Sequence, residues 1–444
     1  MNSRKILAFL VSIWLVLLFS YLYRQWKFED NNSFDVREIN RDALAALPST
    51  STSIQLFQDR LQHNPEDVVS YTVLGQLYLR QARETGDVAS YLKAETAFQL
   101  ALDFVPDYTL AEISLASAYY AEHRFFEALE IAQEVYRKNP KDIQALALIG
   151  DSNLALGRYP EAELAYQELE MLSATPPILV RLAHFAELKG ETEKALELME
   201  RAIKDAVNIG LAQEEIAWYL IRTGEICFNA GDLSQAEKYY ETAARIYPHY
   251  YLGYASLGKL RAAQGDYEAA IENYEQSLAI VPQPEFLSVL GDLYILTGNA
   301  QKAQVQYDTV EFIGKLARVN APIYNRQLAY FFADHDMHLD EALTLSAGEL
   351  EYRADVQGYD VAAWASYKMG FYDQAEDWIT QALKLGTRDA KFYYHAGMIA
   401  LAQGKTSQAC DYLVEALAIN PYFDPVQGQI AHTTLEQLQE VALP

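Results

Sequence analysis

A small residue, usually followed by a larger one four positions later and a third apolar or small one three beyond that, comes back ten times along this chain. The leading alanines are Ala94, Ala128, Ala162, Ala195, Ala236, Ala270, Ala303, Ala342, Ala375 and Ala409, separated by 34, 34, 33, 41, 34, 33, 39, 33 and 34 residues. A unit of that length cannot bury its own apolar face and must stack on its neighbours, so the period selects a linear array over a single core. The length agrees, since 444 residues exceed what one core of about 250–300 residues encloses.

Each unit has an inner grammar. Twelve residues before the alanine stands a Gly or Ala (Gly150, Ala183, Gly224, Gly258, Gly291, Ala363, Gly397), and five before it a second glycine (Gly157, Gly190, Gly231, Gly265, Gly298, Gly370, Gly404). Proline closes several units as Pro106, Pro140, Pro248, Pro282 and Pro421. Small residues let two helices approach, glycine permits the tight turn, and proline stops the second helix. Much of the tyrosine content, 32 residues, falls at gap-filling positions such as Tyr166, Tyr240, Tyr274 and Tyr307.

The stretch over residues 235–282, with Gly258, Tyr274 and Pro282 in register, resembles the tetratricopeptide repeat family, in particular its membrane-anchored bacterial type. The resemblance covers residues 54–421. It implies an all-α fold: about ten antiparallel helix pairs stacked into a right-handed superhelical solenoid whose first helices line a concave groove. A polar-faced segment over 422–444 is then the capping helix that an open stack needs for solubility. Three departures stand out. Extra residues sit near Thr85–Tyr91, longer spacings imply longer helices or loops near Ala206–Gln213 and Gly314–Ala321, and the eighth unit replaces its turn glycine by Asp334-His335-Asp336-Met337-His338. The resemblance further implies that Tyr120, Phe228, Arg326, Tyr330, Trp364, Tyr367, Lys391 and Tyr394 line the groove, with Trp364, Tyr367 and Tyr394 as apolar anchors for a protein or peptide client. The clustered Lys, Arg and Asn with which some members clamp a carboxylate are not found at these positions.

Ahead of the array, Ile6 to Tyr23 is an uncharged run of 18 residues between Arg4-Lys5 and Arg24. As a helix it reaches about 27 Å, close to a bilayer's hydrocarbon thickness. Residues 1–5 are a short tail, 6–23 a transmembrane signal anchor (or a cleaved signal peptide), and 24–53 a polar tether. Retaining two cations on the cytoplasmic side places the array across the membrane; cleavage would make it secreted or periplasmic, and the cations after the run favour a cytoplasm-facing array.

Chemistry is sparse. A net charge of −26 argues against nucleic acid, which demands a basic face. No two glycines lie two apart, and Gly253-x4-Gly258-Lys259 lacks the Ser or Thr of a phosphate loop because Leu260 follows. Neither H-E-x-x-H nor G-x-S-x-G occurs, and Cys227 and Cys410 sit at apolar helical positions. His335, Asp336 and His338 form the one candidate metal set, suited to Zn, Ni or Cu. The expectation is a non-enzymatic, cofactor-free, membrane-tethered scaffold that binds a protein client, with a metal-handling accessory as the alternative.

Overall fold

A computed structural model describes residues 34–44, 48–320 and 324–442. Residues 1–40 form one unit, whose described part carries a single 3-10 turn, Val36–Glu38, begun by Asp35 accepting the Arg37 N–H at 3.0 Å. Everything from Arg41 onward forms the other. The expected membrane span 6–23 lies outside the described residues, as does part of the tether. Among the described residues no helix is long and apolar enough to cross a membrane.

Regular structure in the described residues is entirely helical. A leading helix α1 (Thr50–His63) precedes five hairpins: α2 (Val68–Thr85) with α3 (Ala89–Phe104), α4 (Thr109–Ala121) with α5 (Phe125–Lys138), α6 (Ile143–Ala155) with α7 (Tyr159–Leu172), α8 (Pro176–Leu188) with α9 (Thr192–Ile209), and α10 (Gln213–Asn229) with α11 (Leu233–Ile246). Five more follow: α12 (Tyr251–Ala263) with α13 (Tyr267–Ile280), α14 (Pro284–Leu296) with α15 (Ala300–Asn320), α16 (Asn325–Asp334) with α17 (Leu339–Glu349), α18 (Val356–Lys368) with α19 (Tyr372–Leu383), and α20 (Ala390–Ala402) with α21 (Thr406–Ile419). A cap, α22 (Gln427–Ala442), buries Ala431 and packs Leu435 and Leu438 on the last hairpins.

The small residues work as the pattern implies. A Cβ on Gly224 would lie 2.4 Å from the Tyr240 ring, and one on Gly291 would lie 2.2 Å from the Tyr307 ring. Each glycine is therefore the bed of its own unit's aromatic. The leading alanines are sealed, with Ala128, Ala162, Ala236 and Ala375 at 0% exposure.

The departures resolve mostly into helix. α2 runs 18 residues where most first helices run 13, so the extra residues of unit one lengthen that helix more than the loop. The long spacings appear as α9 with 18 residues, α10 with 17 and α15 with 21. In the eighth turn Asp336 (φ 54°) and His338 (φ 43°) adopt the left-handed conformation that glycine supplies elsewhere, and in unit two His123 does so at φ 62°. L-residues enter that region at an energetic cost, Asn, Asp and His less reluctantly than most.

The repeat does not predict a second level of packing, in which the array winds onto itself. The turns of units three, four and five each meet the connection lying five units further on. A Cβ on Gly157 would fall 2.2 Å from the Ala354 carbonyl oxygen, one on Gly190 2.4 Å from that of Gly386, and one on Gly231 2.9 Å from that of Ile419. Two side chains stitch the same seam: Thr387 donates its hydroxyl to the Leu188 carbonyl at 2.6 Å, and Asn420 donates Nδ2 to the Phe228 carbonyl at 2.8 Å. Beneath it, Leu146, Tyr166 and Phe185 share one buried cluster with Val356, Phe392 and Ile399.

Candidate partner-binding face

Successive first helices touch one another (α2 with α4, α4 with α6, α10 with α12, α14 with α16, α16 with α18, α18 with α20), making them the inner wall of the array. An acid follows the packing glycine in several units, and the tyrosine lying on that glycine donates to it: Tyr166 to Asp151 at 2.9 Å, Tyr240 to Glu225 at 2.8 Å and Tyr307 to Asp292 at 2.7 Å. These acids, and Glu187 one turn further along its own helix, then reach to the next first helix. Asp151 pairs with Arg181 at 2.8 Å, Glu187 with Arg222 at 3.1 Å, Glu225 with Lys259 at 2.6 Å and Asp292 with His335 at 2.8 Å. Further along, Asp360 accepts from Tyr330 at 2.7 Å and meets His395 Nδ1 at 2.9 Å. One charged rung thus joins hairpin to hairpin along most of the wall.

The rungs are paired but not sealed, since Arg181, Arg222 and Lys259 keep 32%, 33% and 32% of their side chains exposed. Burial opposes the charge of Glu225 and Glu187, yet the adjoining Lys259 and Arg222 hold both below the usual carboxylate range. Glu285, Asp389 and Asp424 go the other way, lifted chiefly by the protein crowded around them, although the Glu285 side chain itself stays exposed. Glu285 has no hydrogen-bond or ion-pair partner among the described residues. Lys391 stands among these acids, 3.6 Å from Asp334 and 4.2 Å above the Tyr330 ring.

The residues expected in the groove divide. Tyr120, Tyr330, Tyr367 and Lys391 are half-buried on the inner side. Phe228, Arg326, Trp364 and Tyr394 are only 1%, 5%, 3% and 2% exposed. Arg326 is spent on Glu349 at 2.7 Å and Asp355 at 2.8 Å. Trp364 gives its indole N–H to Asp334 at 2.7 Å and stacks between His395 (4.1 Å) and Tyr367 (4.8 Å). In this form the rings of Trp364 and Tyr394 are joints between neighbouring hairpins and present no face to a client. What the sequence reading missed were Asp151, Arg181, Glu187, Arg222 and Lys259. For Asp151, Arg181 and Lys259 the available signal was an acid directly after the packing glycine and a cation some thirty residues on; Glu187, four residues after Ala183, carries no such mark.

The metal set does not assemble. His335 donates Nδ1–H to the Phe331 carbonyl at 2.7 Å and Nε2–H to Asp292 at 2.8 Å, so neither nitrogen offers a lone pair. Asp336 pairs with Lys368 at 2.7 Å, and the His338 ring stands edge-on to Phe332 at 5.2 Å. Among the described residues no three His, Cys, Asp or Glu side chains converge as metal ligands. Both cysteines are free, and burial pushes the Cys227 thiol up to about 12.

Fold and wall together define a helical-hairpin repeat array, a class of chains that present an extended inner surface. The chain belongs to the tetratricopeptide repeat family: models of that repeat match residues 113–176, 175–249, 256–308 and 361–422, more than half of its length. Such repeats form the kind of scaffold that mediates protein–protein interaction. Among curated proteins it is similar to the BBSome complex member BBS4 of Bos taurus, 26% identical over 270 residues, covering 57% of this chain and 46% of that one. The chain therefore spans about half the length of that relative. Among solved structures, yeast Tom70 matches at 15% identity, covering 88% of this chain and 93% of Tom70, with a TM-score of 0.36. The human IFIT1 dimer with PPP-AAAA matches at 16% identity over 72% and 73% of the two chains, with a TM-score of 0.47. Neither structural likeness bears on a partner.

Proposed function

We propose that the chain is a membrane-tethered scaffold whose inner wall takes an extended client segment, recognised by charge more than by aromatic anchors. The supporting observation is the row of half-exposed charged rungs, which ends in an acid-rich stretch around Glu285, Lys391, Asp389 and Asp424. Fixed and incompletely desolvated charges select the register and sign of a partner more than they add raw affinity, and this stretch suits a basic segment. Glu285→Lys is the clean test, because Glu285 supports no contact that the fold needs. Proteins co-captured with the intact chain from its membrane are expected to be lost from this variant and from wild type in high salt. An unchanged set of captured proteins in the variant would overturn the reading.

Tethering rests on the uncharged run 6–23, which also places the array on the far side of the membrane in our reading. A chain lacking residues 1–23 is expected in the soluble fraction, while the full chain resists high-salt washing and is shielded from protease added on the cytoplasmic side. A mature protein whose first residue lies beyond 23 would replace the anchor by a cleaved signal.

A further inference from the structure

The unit-two turn places an unusual residue beside a cavity. His123 holds the left-handed position (φ 62°) where units three to seven, nine and ten use glycine. Non-glycine residues kept in that region concentrate at functional sites, where the surrounding structure holds them. The His123 ring lies flat against Phe125 at 5.5 Å, with Tyr120 edge-on to the same ring at 5.2 Å. Beside them opens a cavity of about 220 Å³ between α4, α6 and α8 on one side and the connection 353–357 on the other. That volume suits a small molecule and excludes a client helix, which is itself about 10 Å across. His184 and Gln357 are exposed at its rim, so it is open to solvent.

The lining keeps no free carboxylate. The acid in the lining, Asp355, is saturated: its two oxygens accept from Arg326 Nη1 (3.3 Å), Arg326 Nη2 (2.8 Å), Arg353 Nε (3.2 Å) and the Gly358 N–H (2.7 Å). Gln357 spends its carbonyl on Arg326 at 3.1 Å, leaving its amide hydrogens free. The Tyr120 hydroxyl, the His123 ring and Arg353 Nη2 have no hydrogen-bond partner among the described residues. Burial, reinforced by Arg353 and Arg326, holds His123 down to about 3, so the ring is neutral, with one nitrogen able to donate and the other to accept according to tautomer. Phe125, Leu154, Leu188 and Val356 supply apolar walls. A lining whose single acid is already saturated, and which offers a guanidinium N–H, amide hydrogens, a hydroxyl and an imidazole over an apolar floor, favours a ligand with a compact apolar body and an anionic acceptor head, which is the description of a small carboxylate.

We infer that this cavity is a binding site for a small organic monocarboxylate, held by Tyr120, His123 and Arg353. The cavity is built by first helices of the same inner wall and shares Tyr120 with it, but its test uses a small molecule and does not involve the client. Benzoate is the probe, with benzamide as its neutral counterpart and benzylammonium as its cationic one, each titrated calorimetrically into the full chain and followed by thermal shift. Saturable heat and a raised melting temperature are expected for benzoate, weaker binding for benzamide and none for benzylammonium. His123→Gly removes one donor and relieves the backbone, so it is expected to melt no lower than wild type while binding benzoate about tenfold more weakly, and Tyr120→Phe is expected to weaken it as well. No saturable heat with benzoate, equal binding of benzylammonium, or wild-type affinity in His123→Gly would each overturn the assignment.

Discussion

Glycine serves two separate purposes in this chain. At Gly265, Gly298, Gly370 and Gly404 the left-handed turn has open space above it, whereas at Gly157, Gly190 and Gly231 a backbone carbonyl from another part of the array occupies it. Alanine at an open turn meets only the conformational penalty, about 1 kcal/mol. At the three seam positions it must also displace backbone, and overpacking of that kind adds roughly 1–3 kcal/mol. Thermal melts of the seven single variants are therefore expected to fall into two groups, with Gly157→Ala, Gly190→Ala and Gly231→Ala clearly lower; a single group would refute the seam. His335 offers a second residue-scale test. Burial disfavours its charge, but the hydrogen bond and charge of Asp292, with the Phe331 carbonyl, outweigh that and raise its pKa. A folded value above the unfolded one, about 6.5, gives stability that is complete below that pH and lost as pH climbs through the folded value. The melting-temperature advantage of wild type over His335→Gln is expected to be largest near pH 6 and to shrink under alkaline conditions. An advantage that grew with pH would show the ring to be neutral.

Hairpins in an ordinary stack speak only to their neighbours, and their unfolding proceeds unit by unit. Here Thr387 and Asn420 tie connections to carbonyls 199 and 192 positions earlier. Losing a buried hydrogen bond of this type costs about 1–2 kcal/mol. The double variant Thr387→Ala, Asn420→Ala is expected to unfold in urea in two separated steps by circular dichroism where wild type shows one. Coincident single transitions in both proteins would mean that the seam carries no cooperativity. The aromatic joints are a second device at this scale. Trp364→Ala removes a stacked and hydrogen-bonded ring from between α16, α18 and α20, and is expected to destabilise the chain by about 3–5 kcal/mol. Client capture by the folded fraction is expected to be unchanged.

With a net charge of −26, the whole chain repels itself, and added salt screens distant acids more than it weakens the half-buried rungs. Raising salt to about 0.5 M, where the screening length is only a few ångströms, is expected to raise the melting temperature; a fall would mean that the rungs dominate. Much of this organisation was legible beforehand. Leading alanines, turn glycines and closing prolines were visible because each acts within its own unit, where a fixed spacing is a fixed geometry. The seam was not, since Gly190 meeting Gly386 depends on small rotations summed over five hairpins, and no local pattern encodes that sum. Of the wall, Tyr330, Tyr367 and Lys391 were found by family position. Trp364 and Phe228 were expected to line the groove, and lie buried instead, because spacing tells which face a ring occupies but not how closely the next hairpin covers it. The seam also sets a timetable. Its halves lie nearly two hundred residues apart, and synthesis advances at about 5–20 residues per second, so the carbonyls of Leu188 and Phe228 leave the ribosome roughly 10–40 s before the side chains that will claim them. Throughout that interval the nascent first coil carries an unfinished edge, which makes those seconds the period in which a chaperone or a stray chain has access to it.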